Sequence, residues 1–121
     1  MPIEIREIVF SSPELTAAIT DFYHRLSSHK DHEILKVMVT ENSETPVNLS
    51  VYNKSLDQRV AEVLSRAEVG AALITYCRRT GVMMSRQSRK SVGIKDGQII
   101  LKLRLVSGQS AENSPLSSLG T

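Results

Sequence analysis

The sequence predicts an α+β fold: a mainly antiparallel sheet with about three helices packed on one face, ending in a β-hairpin. Three observations carry this expectation. Apolar and polar residues alternate in short runs near 3–10, 33–40, 47–52 and 91–106. Apolar residues recur at helical spacing behind serine caps. Asp96-Gly97 stands between two alternating runs, the signal of a tight hairpin turn. With 121 residues the chain suits one domain, placed at 1–106 and followed by a Ser-rich tail at 107–121. The tail, SGQSAENSPLSSLGT, has too little apolar surface to offset its ordering entropy, so disorder is expected there. No internal repeat is expected.

The opening run, IEIREIVF, reads as a strand whose phase shifts after Ile5. Ser11, Pro13 and Glu14 then mark a helix start, with a capping serine and a glutamate three residues on. Leu15, Ala18, Ile19, Phe22 and Leu26 share one face of the helix expected over 13–27. A polar connection leads into EILKVMVT, where Leu35, Val37 and Val39 alternate, and the 47–52 run VNLSVY alternates in the same way. Leu56, Val60, Val63 and Leu64 behind Ser55 predict a helix over 56–64. Ser65 and Glu68 form a second capping box for a helix over 66–80, closed by Gly81 after Arg78 and Arg79. Strands at 91–95 and 98–106 complete the hairpin.

The expected core is Ile5, Phe10, Leu15, Ile19, Phe22, Leu26, Leu35, Val37, Leu49, Val51, Val60, Leu64, Leu73, Tyr76, Val92, Ile94, Ile99, Leu101 and Leu103. It is mostly aliphatic, because aromatics are only 4% of residues; base-stacking platforms are therefore not expected. Cys77 is the single cysteine, so no intramolecular disulfide can form, and a cytoplasmic setting is expected. The charged start, IEIRE, lacks the apolar run of a signal peptide, and no segment is long and apolar enough to imply a membrane partner.

Charge is unevenly placed. Residues 1–77 hold eleven acids against seven bases, while 78–121 hold eight bases against two acids. The cations Arg78, Arg79, Arg86, Arg89, Lys90, Lys102 and Arg104 form the expected binding surface, since guanidinium groups take phosphates or carboxylates bidentately. The competing reading is a solvated surface. His24, His29 and His32 are the only histidines and the only metal candidates, although their spacing fits no metal motif. Cys77 falls on the apolar helix face near the helix C-terminus, where burial and the dipole both oppose a thiolate. The six glycines are dispersed and form no phosphate loop, and no serine stands in a nucleophile-elbow context. Catalysis and a bound cofactor are accordingly not expected.

The first functional expectation is a protein-interaction or assembly module, a homodimer being one form of it. Apolar residues outside the tidy faces, Val82, Met83, Met84 and Ile100, motivate it. The alternative is nucleic-acid binding through the basic 78–104 segment. The predicted element order resembles a winged helix-turn-helix with the last hairpin as the wing. The helix in the recognition position, AEVGAALITYC, lacks side chains that read base edges. The decapeptide MPIEIREIVF resembles the start of short proteins associated with contractile injection systems, a likeness of those ten residues alone.

Overall fold

A computed structural model describes residues 2–25 and 31–106. Leu26, His29 and the tail at 107–121 lie outside the described residues. The elements follow as β1 (Ile3–Phe10), α1 (Ser12–His24), β2 (His32–Val39), β3 (Val47–Asn53), β4 (Gln58–Leu64), α2 (Arg66–Thr80), β5 (Arg89–Lys95) and β6 (Gln98–Val106). The strands form two antiparallel sheets of three, ordered β1-β6-β5 and β2-β3-β4. No described helix is long and apolar enough to cross a membrane.

The α+β class stands, but the expected architecture does not. There are two helices and six strands in two sheets among the described residues, rather than three helices on one face of a single sheet. The error is the helix expected over 56–64. That stretch is β4, paired with β3 from Val47 opposite Leu64 to Asn53 opposite Gln58. The spacing of Leu56, Val60, Val63 and Leu64 fits a helix, yet the nine residues of 56–64 are too few to sustain one without packing. The local turn chemistry instead starts a strand. Asn53 Oδ1 accepts from the amides of Ser55 and Leu56, and Asp57 takes a left-handed φ of 52° that reverses the chain. Tyr52 donates its hydroxyl to Asp57 across this turn.

The other elements follow their sequence signals. Ser11 and Ser65 each accept from the amide of the glutamate three residues on, at 3.3 and 3.1 Å. The Glu14 and Glu68 carboxylates accept from the serine amides in return, both at 2.9 Å. Gly81 ends α2 at φ 83°, a conformation that carries no Cβ penalty in glycine. Asp96 and Gly97, at φ 53° and 76°, make the tight turn between β5 and β6.

The two sheets expose an order that the sequence hides. The chain is two βαββ halves, β1-α1-β2-β3 and β4-α2-β5-β6, and each half gives its first strand to the other half's sheet. The correspondence is residue by residue. Phe10, Ser11, Glu14, Leu15, Ala18 and Ile19 of the first half match Leu64, Ser65, Glu68, Val69, Ala72 and Leu73 of the second, at a constant spacing. The buried residues coincide at these positions. Val47, Leu49 and Val51 on β3 likewise match Ile99, Leu101 and Leu103 on β6. The capping Ser and Glu and the alanine repeat in identity, while the larger buried residues repeat in class alone, because burial on one face constrains size and polarity while leaving the particular side chain free.

Both helices and both sheets contribute to one apolar core, with Ile19, Val47, Val51, Val69, Leu73, Ile99 and Leu101 fully inaccessible. Three expected core residues are outside it: Ile5, Leu35 and Val60 are exposed by 59%, 45% and 38%. Leu35 is displaced by a bulge between Ile34 and Lys36, which turns Ile34, Val37 and Val39 inward and Leu35 outward. Ile5 and Val60 lie on β1 and β4, strands at the edges of their sheets. Tyr23, which is not among the residues expected in the core, is buried. Asp21 on α1 joins Arg79 on α2 at 2.5 Å and Arg25 at 3.1 Å, so the two matched arginines of the halves converge on one carboxylate.

Candidate functional site

The basic residues singled out in the sequence divide among three places. Arg78 at the end of α2, Arg86 in the following loop and Lys90 on β5 line one open concavity of about 750 Å³ with Met83 and Met84. The loop is held in shape by bonds to the flanking elements. The Val82 amide donates to the Cys77 carbonyl, Arg6 Nη1 donates to the Met83 carbonyl at 2.6 Å, and Lys90 Nζ donates to the carbonyls of Ser85 and Ser88 at 3.0 and 3.1 Å. Arg79 points elsewhere, to its pair with Asp21. Arg89, Lys102 and Arg104 lie on the opposite face of the β1-β6-β5 sheet from Lys90, since neighbours along a strand alternate.

That opposite face is the most distinctive surface of the molecule. Register places Ile5, Arg104 and Arg89 in one row across the three strands, Glu7, Lys102 and Ser91 in the next, and Val9, Ile100 and Gly93 in the third. Lys95 on β5 reaches Glu7 on β1 at 3.3 Å, so this pair spans the central strand above Ile100. The span accounts for the burial of Ile100, which the sequence placed on an exposed basic face. Ile100 also packs over Gly93, where an added Cβ would come within 3.3 Å of it. Lys102, Arg104 and Arg89 have no carboxylate within 4 Å among the described residues. Beside these cations the edge strand β1 turns Ile3, Ile5 and Val9 to solvent, exposed by 52%, 59% and 49%.

Of the apolar residues that suggested an interface in the sequence, Met83 is exposed by 81%, while Val82 and Met84 pack against the core. The exposed row on β1 went unrecognised because its alternation reads equally well as a core-facing strand. Only the identity of the neighbouring strand reveals which face is covered.

A second polar cluster forms where α1, β2 and β4 meet. The buried Tyr23 hydroxyl donates to Glu62 Oε2 at 2.9 Å and lies 3.1 Å from His32 Nδ1. Burial raises the Tyr23 phenol above the usual tyrosine range, and the Glu62 hydrogen bond and charge add to that. His24 and His32 line a shallow depression of about 360 Å³ with Glu33 and Lys54. His29 falls outside the described residues. Among the described residues no group of three or more His, Cys, Asp or Glu side chains is placed to hold a metal ion. At the matched position of the second half, Cys77 replaces Tyr23. It is a buried free thiol, pushed up from its usual range by burial.

These shifts fix a pH dependence. Tyr23, Tyr52 and Cys77 all hold their protons more tightly when folded than their ordinary values of 10.0 and 9.0 imply. Their stabilisation is therefore fully present below about pH 9. It is lost as pH rises through the raised values. The urea midpoint should fall above about pH 9, and Tyr23→Phe should make that fall shallower. A fall just as steep in Tyr23→Phe would remove Tyr23 from this account.

In comparisons with known proteins, no family model, no curated protein and no solved structure matches the chain.

Proposed function

We propose that the protein is an interaction or assembly module that receives its partner at the β1 edge of the β1-β6-β5 sheet. The observation that carries this is the solvent-facing row Ile3, Ile5 and Val9 on an edge strand. An edge presents unpaired backbone N–H and C=O groups, and an alternating apolar row beside it gives an added strand side-chain contacts as well. The four edges differ in this respect. β2 is interrupted by its bulge. β4 carries Gln58, Arg59 and Glu62, and its exposed Val60 and Val63 fall on opposite faces rather than in one row; β5 carries Arg89, Lys90 and Lys95. β1 runs eight residues in unbroken register. A cytoplasmic setting, inferred from the single cysteine, belongs to the same proposal.

Nucleic-acid binding is the lesser reading. Its support is the shared concavity of Arg78, Arg86 and Lys90. The cations are divided among three places, which suits a compact anionic group better than a track of phosphates. The winged-helix element order is gone, because 58–64 is a strand.

A photo-crosslinking amino acid at position 5, introduced in intact cells, tests the main reading. The expected result is one adduct of defined mass at position 5, with none at position 63 on the edge of the other sheet. No adduct at position 5 would overturn it.

A further inference from the structure

We infer that the partner at this edge is a second copy of the chain, joined by antiparallel pairing of β1 with β1 about a two-fold axis at Ile5. The inference rests on the assembly reading above and adds the occupant and the register. In a two-fold antiparallel junction with its axis perpendicular to the sheet, the residue on the axis faces itself, and its neighbours face each other's partners. The charges of β1 select among the central registers. Centring on Glu4, Arg6 or Glu7 sets like charges directly opposite, which is destabilising. Centring on Ile5 sets Ile5 against Ile5 and places Glu4 opposite Arg6 of the second copy, twice.

The side chains of β1 are suited to that arrangement. Ile5 is the most exposed of the three outward apolar residues. Arg6 uses Nη1 on the Met83 carbonyl, and a guanidinium keeps further N–H donors for a facing carboxylate. Arg104 sits one strand inward from Ile5 in each copy, so the two Arg104 rows would be three strand spacings apart, about 14 Å. Charges at that separation are largely screened at physiological salt. The basic outer face therefore does not oppose the junction.

Light scattering after size exclusion, at protein concentrations up to about 1 mM, reads the association directly. The mass should rise towards twice that of the chain. Ile5→Lys should weaken association by more than about tenfold, because it removes the central apolar contact and sets two ammonium groups face to face. Val63→Lys, an exposed site on the other sheet, should leave it unchanged. Cysteine scanning reads the register. Under mild oxidation Ile5→Cys should form a disulfide between copies, since facing Cα atoms on paired strands lie within bonding reach. Ile3→Cys would hold its copies about 14 Å apart and should stay reduced. Efficient cross-linking by Ile3→Cys, or a monomer throughout with no Ile5→Cys disulfide, overturns the inference. A monomer that still gives a position-5 adduct in cells, of mass other than a dimer, removes the second copy while leaving the assembly reading in place.

Discussion

A chain divided between Ser55 and Leu56 is expected to give two fragments that stay unfolded alone and fold when mixed. The cut falls in the exposed turn joining the βαββ halves, away from the core. Each half lacks one strand of its own sheet. β1 pairs with β6, and β4 pairs with β3, so each sheet is completed only by the other half. What a half retains is one helix and a two-stranded hairpin with an unpaired extra strand. A two-stranded hairpin is at best marginally stable in water. The helices also contact each other, so separation exposes the core faces built around Ile19 and Leu73. Circular dichroism of each fragment should show no cooperative melt, and an equimolar mixture should recover one. A cooperative transition in either fragment alone would show that the exchanged strands are dispensable, contrary to this topology.

The second large effect is expected at the matched pair Ile19 and Leu73. Both are fully buried, and both occupy the same position of their respective helices. Truncation to alanine removes three carbons from a packed interior and leaves a cavity, at a cost of about 2–5 kcal/mol for each change. A domain of this length has a net stability of about 5–15 kcal/mol, so either change removes a large part of it. Urea denaturation should show a lowered midpoint with little change in slope. The matched environments predict similar losses for the two variants. By contrast, Val63→Ala on the exposed side of β4 should shift the midpoint very little. A large loss at Val63, or none at Leu73, would place the interior elsewhere.

Much of the local structure was legible in the residues. The capping boxes at Ser11 and Ser65, the left-handed Gly81 and the Asp96-Gly97 turn depend on groups within a few residues of one another. So does the alternation of β3 and β6. Such signals survive in the sequence because their physical cause is local. The 56–64 segment differs because its apolar spacing suits two conformations, and the turn at 53–57 together with the hydrogen bonds to β3 makes it a strand. Leu35 failed because a bulge shifts the phase of one strand, a shift that carries no apolar signature of its own.

The candidate site was less legible than the fold. The sequence located the basic residues but could not say that Arg79 is taken by Asp21, or that Arg89 and Lys90 face opposite ways. It also put Ile5 in the core and Ile100 outside, the reverse of their places.

The sequence by itself determined which stretches cap, turn and alternate, and that an aliphatic interior would hold them, since those follow from neighbours along the chain. Only the tertiary structure decided that two βαββ halves exchange their first strands and that β1 ends at an edge with its isoleucines in water. Strand pairing is a relation between residues distant in sequence. An alternating strand carries no mark of which face, or which side, its partner will cover.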